Sequence, residues 1–266
     1  MYKVLAFDID NTLIMRGKST IEESALEAIR ECHDKGYEIV ISTGRTINAV
    51  HPDIKARMPA NYFIGVNGAC LNTMDGKILK CFYMSRESAE KIIDISIKHD
   101  YPLGFKFEDS FQIYNRYEEF VSRYCKNGIT RDMLSDCSDR DYHIRTGMLP
   151  LDAFIYADDN RLPQYFDQFP DIKFIRANSR KVIYEAFNNQ SDKGVMLKFL
   201  ADRLGYSMDQ VIAFGDSQND SEMMAQAGLG ICMGNGTPEA KAAADYVTDD
   251  IDKDGIWKAL KHFGII

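Results

Sequence analysis

The stretch Val4-Leu5-Ala6-Phe7-Asp8-Ile9-Asp10-Asn11-Thr12 decides the fold, because an apolar, partly β-branched run ends in two carboxylates. The apolar run predicts a buried strand, and in an open α/β sheet ligands bind beyond the carboxyl ends of the strands. Alternate strand residues face the same way, so Asp8 and Asp10 could together bind a hard cation or act as nucleophile and acid/base. The alternative is a turn with an Asx cap.

Strand-like and helical patterns alternate at both ends of the chain. Residues 21–35 have helical spacing, with a capping box at Thr20 and Glu23 and a C-cap at Gly36. Further helices are predicted over 192–204 and 220–227 and from Thr237-Pro238 onward. Further strands are predicted over 37–41, 62–66, 211–214 and 229–233. This alternation predicts one α/β domain with a Rossmann-like parallel sheet core.

The middle of the chain has a different character. Residues 83–186 are rich in Phe and Tyr and contain short alternating runs, such as Phe105 to Tyr114 and Lys173 to Phe187. We predict an inserted α+β domain there, with residues 1–82 and 187–266 forming the core. The alternating aromatics are interpreted as the buried face of a sheet rather than a ligand site: Phe105, Phe107, Phe111 and Tyr114. Four arginines are candidates to bind a second anionic group of the substrate, although surface solvation is the default interpretation for each: Arg116, Arg123, Arg145 and Arg176.

Composition narrows the classes of partner. The 266 residues are 45% hydrophobic and 27% charged, which is ordinary for a globular protein of one large or two modest domains. A net charge of −8 argues against nucleic acid as the partner. We expect no membrane span and no signal peptide. The six cysteines are scattered without a C-x-x-C or zinc-like spacing, which predicts a cytoplasmic protein.

A second polar segment, Ile41-Ser42-Thr43-Gly44-Arg45, also ends a predicted strand. Thr43 offers a hydroxyl, and Gly44 lets backbone amides approach a phosphate closely. A helix N-cap at Ser42 or Thr43 is the alternative interpretation.

Two later segments add charged groups at the same sheet edge. Ser191-Asp192-Lys193-Gly194 places a lysine at a helix N-terminus, where cations are disfavoured, so a negative partner or simple solvation must account for it. A predicted strand is followed by the segment Gly215-Asp216-Ser217-Gln218-Asn219-Asp220. A turn with a helix cap could explain one of its two aspartates, but it explains both poorly. The residues brought together are Asp8, Asp10, Thr43, Lys193, Asp216 and Asp220. Four carboxylates against one lysine would repel a phosphate, so a divalent cation is expected, and Mg²⁺ fits best.

The motifs DIDNT, STGR, DKG and GDSQND resemble the four motifs of the haloacid dehalogenase-like (HAD) hydrolase superfamily. The tail Met233-Gly234-Asn235-Gly236-Thr237-Pro238, followed by Ala244 to Thr248, resembles the Cof-type phosphatases of that superfamily. The resemblance covers both flanks, and the position of the insert after the third strand matches the family's type C2B cap. A Rossmann-like core with an inserted α+β cap is therefore the implied fold.

The resemblance also implies roles for individual residues. Asp8 would be the nucleophile that attacks phosphorus, and Asp10 would protonate the leaving oxygen and then activate water. The metal-site residues would be Asp8, Asp10 through its backbone carbonyl, Asp216, and Asp220 in support of the metal shell. The phosphate or substrate would be held by Thr43, Gly44, Arg45, Lys193 and Asn219. Arg45 and the turn Asn67-Gly68-Ala69 match family positions near the cleft, with a structural role as the alternative for each.

The implied activity is a Mg²⁺-dependent phosphatase that acts on a small phosphorylated metabolite, a sugar phosphate above all, through a phospho-aspartate intermediate. One alternative is a phosphomutase of the same superfamily, which inorganic phosphate released at every turnover would set aside. Receiver domains also pair an acceptor Asp with Thr and Lys, but the second Asp and the large insert favour an enzyme. A third alternative is a metabolite-binding regulator without turnover. Neither a nucleic-acid surface nor a membrane surface is expected.

Overall fold

The computed structural model describes residues 1–108, 110–125, 129–178 and 182–266. These residues form two compact units. The first comprises Met1–Arg45, Val50–Lys80 and Asp192–Ile266, and the second comprises Thr46–Ala49 and Cys81–Ser191. The predicted insert, 83–186, lies within the long segment of the second unit.

The described residues contain fourteen strands and nine α-helices, numbered here along the chain. The strands are β1 Val4–Phe7, β2 Glu38–Ser42, β3 Tyr62–Gly65, β4 Cys70–Thr73, β5 Ile78–Cys81, β6 Leu103–Lys106, β7 Phe111–Asn115, β8 Ser135–Asp136, β9 Asp152–Tyr156, β10 Ile172–Asn178, β11 Ile183–Asn188, β12 Val211–Gly215, β13 Leu229–Cys232 and β14 Tyr246–Val247. The helices are α1 Glu23–Asp34, α2 Pro52–Arg57, α3 Arg86–His99, α4 Tyr117–Tyr124, α5 Tyr142–Thr146, α6 Lys193–Leu204, α7 Ser221–Gln226, α8 Pro238–Ala243 and α9 Gly255–His262. None of the described helices is long and apolar enough to cross a membrane.

An eight-stranded sheet organises the first unit, in the order β14-β13-β12-β1-β2-β3-β4-β5. The six strands from β14 to β3 are parallel, and β4 runs antiparallel to β3. Strand β1 is fully buried along its length and lies between β12 and β2. The strand order reverses here, so the carboxyl ends of β12, β1 and β2 border the place where open α/β sheets bind ligands.

The predicted α/β architecture is confirmed, but the start of the first helix was placed too early. Helix α1 begins at Glu23 with Glu22 as N-cap and no side-chain cap hydrogen bond, so the predicted capping box of Thr20 and Glu23 does not form. The backbone N–H of Ile21 instead donates to Asp53 Oδ2 at 2.9 Å. This tertiary contact satisfies the donor that a local cap would otherwise have to satisfy.

The strands β4 and β5 were not predicted. Each has four residues, and the side chains of β5 are only partly buried, so neither produces a strong apolar run. The connecting residues contain Asp75-Gly76, with Gly76 at a φ of 91°, which is a common hairpin signal.

Of the six cysteines, Cys70 and Cys81 are disulfide-bonded, and the free thiols are those of Cys32, Cys125, Cys137 and Cys232.

A six-stranded sheet organises the second unit, in the order β10-β11-β9-β6-β7-β8, and all pairs are antiparallel except β7 with β8. One apolar cluster contains Phe105, Phe107 and Tyr114, and another contains Phe111, all of them buried. The interpretation of the alternating aromatics as sheet core is therefore confirmed. Within the predicted run Lys173 to Phe187, residues 179–181 lie outside the described part of the chain.

Three of the four candidate arginines form ion pairs with nearby carboxylates of the second unit. Their partners are Asp100 and Glu119 for Arg116, Glu119 and Asp158 for Arg123, and Asp141 for Arg145. Arg176 is exposed. Such exposed pairs contribute about 0–1 kcal/mol each to stability.

Candidate active site

Asp8 follows the last residue of β1 and is held in place by its own backbone. Its N–H donates to the carbonyl of Phe214 on the neighbouring strand at 3.0 Å. Three residues later the chain reverses, with Asn11 at a positive φ of 63° and its N–H bonded to the Ile14 carbonyl at 2.7 Å. The side chain of Asp8 is almost completely buried, whereas that of Asp10 is 53% exposed. The two carboxylates therefore lie in different environments.

Lys193 is the first residue of α6, and its side chain is fully buried. Asp192 caps the helix, because its Oδ1 accepts from the N–H groups of Gly194 at 2.7 Å and Val195 at 3.3 Å. Lys193 Nζ donates to Asp8 Oδ1 at 2.7 Å and to Asp220 Oδ1 at 2.6 Å. These two carboxylates are the negative partner that a lysine at a helix N-terminus requires.

Asp220 is fixed on both of its oxygens. While Oδ1 accepts from Lys193, Oδ2 accepts from the N–H groups of Asp216 at 3.1 Å and Ser217 at 3.0 Å. Gly215 permits this close approach, since a Cβ there would lie 2.4 Å from the Cβ of Asp220. Asp220 therefore ties the loop after β12 to the lysine.

Asp8, Asp216 and Asp220 form a carboxylate cluster in which one oxygen from each lies within 4.8 Å of the others. Burial, reinforced by Asp220 and Asp216, raises the pKa of Asp8 well above its usual value, although Lys193 opposes the shift. Burial and the charge of Asp220 raise the pKa of Asp216 to about 7. Burial alone would lower the pKa of Lys193, but Asp220 and Asp8 raise it. Three carboxylates thus surround one cation, and an oxygen-binding divalent ion such as Mg²⁺ fits the remaining negative charge.

The segment after β2 supplies the other predicted phosphate ligands. Thr43 is buried, and its Oγ1 accepts from the N–H of Arg45 at 3.3 Å. The Arg45 side chain turns to Asp10, donating from Nε to Oδ2 at 2.9 Å and from Nη2 to Oδ1 at 2.6 Å. At Gly44 a Cβ would lie 3.0 Å from Asn67 Oδ1. Because Gly44 has no side chain, its backbone can lie close to the side chain of Asn67.

Asn67 and Asn11 also lie at the site, although the motifs predict Asn67 only as a turn residue near the cleft and do not single out Asn11. Asn219 Nδ2 donates to Asn67 Oδ1 at 2.9 Å, and the Asn11 side chain is hydrogen-bonded to Asp216. Val66 and Asn67 both have a φ of 52°, which is rare for a β-branched residue and frequent at functional sites. The dipeptide Asn67-Gly68 was the available signal.

The turn at Gly68 is pressed against the start of α6. A Cβ on Gly68, which has a φ of 88°, would lie 2.1 Å from the carbonyl oxygen of Asp192. No other residue type fits there without moving the backbone next to Lys193. The structure thus brings together the predicted residues, listed here with the elements that carry them: Asp8 and Asp10 after β1; Thr43, Gly44 and Arg45 after β2; Lys193 on α6; and Asp216, Asn219 and Asp220 after β12.

The chain is similar to known proteins over nearly its whole length. The family model for haloacid dehalogenase-like hydrolases matches residues 5–260. A 5-amino-6-(5-phospho-D-ribitylamino)uracil phosphatase of Bacillus subtilis, YcsE, is 26% identical over 98% of this chain and 95% of its own length. The pyridoxal phosphate phosphatase YbhA of Escherichia coli is 27% identical over 96% of each chain.

The structural comparison leads to the same family. The solved structure of BT4131, described as a HAD subclass IIB sugar phosphatase, has a TM-score of 0.84 and 26% identity, and it covers 99% of this chain and 100% of its own. The match to the family model extends over nearly the whole sequence, both units included. The chain therefore belongs to the haloacid dehalogenase-like hydrolases, as a Cof-type member and a phosphoric monoester hydrolase that acts on small phosphorylated substrates.

Proposed function

We propose that this protein is a Mg²⁺-dependent phosphatase that hydrolyses a sugar phosphate or a similar small metabolite through a phospho-aspartate on Asp8. The observation that carries the proposal is the buried contact of Lys193 with both Asp8 and Asp220, inside a cluster of three carboxylates. Lys193, the first residue of α6, supplies a cation for the phosphoryl group beside Asp8, the nucleophile that follows a parallel strand. Phosphoryl transfer depends mainly on such positioning and charge stabilisation.

In the first step Asp8 attacks phosphorus and the bond to the leaving oxygen breaks. Asp8 is suited to this role because its backbone is fixed to β12 and its side chain is shielded from water. Asp10 gives its proton to the leaving oxygen, which departs as an alcohol. The phosphoryl group is then bound covalently to Asp8, so one difficult displacement is divided into two easier ones.

In the second step a water molecule attacks the acyl phosphate and loses its proton to Asp10. The exposed side chain of Asp10 can contact both the leaving alcohol and the incoming water. One residue thereby serves as acid and then as base, which restores the starting state and releases inorganic phosphate.

Lys193, Thr43 and the amides around Gly44 are proposed to hold the phosphoryl oxygens. Lys193 must then share its ammonium between the substrate and the carboxylates that it contacts in this structure. Asn219 is assigned to the phosphate or substrate side of the site, whereas Arg45, which was also predicted there, contacts Asp10 in this structure. Asn219 donates to Asn67, and the side chain of Asn67 borders Gly44.

Asp8, Asp216 and the backbone carbonyl of Asp10 would hold Mg²⁺, and Asp220 would stabilise the site through its bonds to Lys193 and two amides. When bound, the ion would neutralise the charge on the phosphoryl group. The raised pKa values of Asp8 and Asp216 support this assignment, because a cation would replace protons that the crowded carboxylates otherwise retain.

The substrate is proposed from the relatives. A sugar phosphatase, a phosphoribitylaminouracil phosphatase and a pyridoxal phosphate phosphatase are all similar to this chain over nearly its full length. Their named substrates are small and phosphorylated, so a panel built on these three classes covers the proposal. We propose that the second unit is the inserted C2-type cap that the sequence resemblance implies. A cytoplasmic location is also proposed.

The test is phosphate release from p-nitrophenyl phosphate and from this panel, with Mg²⁺ or with EDTA. We expect release that requires Mg²⁺, that is abolished in Asp8→Asn, and that is strongest for one class of metabolite. Asp53→Asn is the matched control, since Asp53 accepts from Ile21 away from the cluster and its replacement should leave turnover intact. A folded wild-type protein that releases no phosphate in the presence of Mg²⁺ would refute the proposal.

A further inference from the structure

The pair of Asp10 and Arg45 has a geometry that the phosphatase mechanism does not by itself require. Two nitrogens of one guanidinium, Nε and Nη2, each donate to a different oxygen of the carboxylate, at 2.9 and 2.6 Å. Such a two-bond contact fixes the plane of a carboxylate as well as its position. An ammonium group is a point charge and cannot reproduce it.

Both partners lie on backbone segments that are held in place by contacts other than the ion pair. The carbonyl of Arg45 accepts from the N–H of Val66 at 3.0 Å, and a Cβ on Gly65 would lie 3.0 Å from that carbonyl oxygen. On the other side, the turn that follows Asp10 is closed by the 2.7 Å bond between Asn11 and Ile14. The ion pair therefore joins two anchored segments.

The exposure of the two side chains differs in a way that suits proton transfer. The Arg45 side chain is 13% exposed and that of Asp10 is 53% exposed, so the arginine supports the carboxylate from the buried side. An ionised carboxylate has about four acceptor positions on two oxygens, and the guanidinium takes one on each oxygen. Lys193 is engaged by Asp8 and Asp220, and the ion pair recorded for Asp10 among the described residues is the one with Arg45.

We propose that Arg45 is the positioning residue for proton transfer at Asp10. The inference rests on the proposed function, and it adds that the guanidinium holds the Asp10 carboxyl in line with the leaving oxygen. As the bond between phosphorus and that oxygen breaks, its electron pair stays on the oxygen and the proton of Asp10 moves to it. Arg45 itself gains and loses no proton.

The experiment compares leaving groups. The kcat/KM for 2,4-dinitrophenyl phosphate, whose leaving group needs almost no protonation, is set against that for the best alkyl or sugar phosphate of the panel, whose leaving group needs an acid. Because kcat/KM covers the steps up to release of the leaving group, hydrolysis of the phospho-aspartate does not enter. The variants are Arg45→Lys, Arg45→Gln and, for reference, Asp10→Asn.

We expect Arg45→Gln and Arg45→Lys to lose roughly 10²-fold in kcat/KM on the alkyl phosphate, which is the scale of general-acid catalysis, and only a few-fold on the dinitrophenyl ester. Asp10→Asn should show the same asymmetry. Arg57→Gln removes another contact between a guanidinium and a carboxylate in the first unit, from Nη2 of Arg57 to both oxygens of Glu23, and should reduce neither value selectively.

Equal losses on both esters would overturn the proposal, because they would mean that Arg45 acts on the phosphoryl group or on the fold. Thermal melting of each variant identifies loss of fold, and rescue of Arg45→Ala by added guanidinium, selective for the alkyl phosphate, gives a second independent test. Lack of rescue together with equal losses would contradict positioning. Wild-type protein that hydrolyses neither ester would instead refute the proposed function itself.

Discussion

Each unit of this protein buries a lysine against an aspartate, and the two cases teach how an active site differs from a core ion pair. In the second unit Lys106 Nζ donates to Asp152 Oδ2 at 2.7 Å and lies over the rings of Phe111 and Phe154. In the first unit Lys193 contacts two carboxylates, and Asp216 adds a third. The surplus of carboxylates, rather than burial of a lysine, distinguishes the site that requires a cation.

A shifted pKa does not separate the two cases. Burial raises the pKa of Asp152 to about 7, against the lowering effect of Lys106 and with a smaller raising effect of Glu185. Burial raises the pKa of Asp216 to about 7 as well, but there the neighbouring carboxylate of Asp220 reinforces the shift. At Asp216 the repulsion by Asp220 outweighs the attraction of Lys193, whereas at Asp152 the attraction of Lys106 outweighs the repulsion by Glu185. Only an excess of repulsion indicates a missing cation.

The largest effect that would separate the two lysines is on turnover. Lys193→Met should lower the kcat/KM for p-nitrophenyl phosphate by roughly 10²- to 10³-fold, because it removes a preorganised charge at the phosphoryl group. The paired replacement Lys106→Met with Asp152→Leu removes both members of the other ion pair and should leave this value within several-fold of wild type. Steady-state kinetics on folded variants is the measurement. A similar loss of kcat/KM in both variants would contradict the different roles of the two lysines.

The second prediction concerns stability. Lys106→Met alone leaves Asp152 buried without its cation and should reduce the free energy of unfolding by about 3–5 kcal/mol. Adding Asp152→Leu should recover most of that loss, because two apolar side chains of similar size need no partners. Urea denaturation measures both. If the double variant is no more stable than the single one, Asp152 has another essential partner.

The third prediction concerns pH and metal. Because the pKa values of Asp8 and Asp216 are raised in the folded protein, these groups stabilise the metal-free fold most at low pH. The contribution of Asp216 is lost as pH rises to its folded pKa of about 7, and the contribution of Asp8 is lost in the same direction. Mg²⁺ needs ionised carboxylates. At 100 times its Kd it should therefore stabilise the fold by about 2.7 kcal/mol at about pH 8, and by clearly less at about pH 5.

Thermal melts with Mg²⁺ or EDTA at the two pH values test this dependence. Asp216→Asn is the control, since it removes a ligand and the surplus charge together, and its stability should respond little to Mg²⁺. An equal response to Mg²⁺ at both pH values would mean that the ion binds elsewhere.

The smallest expected effects come from the two helix caps. Asp192→Ala and Ser85→Ala remove the side-chain caps of α6 and α3, and each should cost about 1 kcal/mol in the free energy of unfolding. Only the first cap orients a helix that begins with Lys193, so only Asp192→Ala should also lower kcat/KM. Equal kinetic losses in the two variants would show that general loosening, not placement of Lys193, is responsible.

The sheet could be predicted from the sequence because its central strands are continuous apolar runs that end in polar residues, as Val4–Phe7 does before Asp8. The local cap at Thr20 could not be judged, because Asp53, thirty-two residues away, takes the donor of Ile21. The ion pair of Asp10 and Arg45 could not be predicted either, because these residues are thirty-five positions apart and only the folded sheet brings them together. Local patterns identified the chemical groups, and long-range contacts decided their partners.

A phospho-aspartate on Asp8 can be demonstrated by trapping it. In Asp10→Asn, 2,4-dinitrophenyl phosphate can still transfer its phosphoryl group without an acid, but the base that activates water is missing. We predict that acid quenching, digestion and mass spectrometry will find one phosphoryl group on the peptide that contains Asp8, only when Mg²⁺ is present. Absence of that adduct, together with wild-type turnover in Asp8→Asn, would contradict the account.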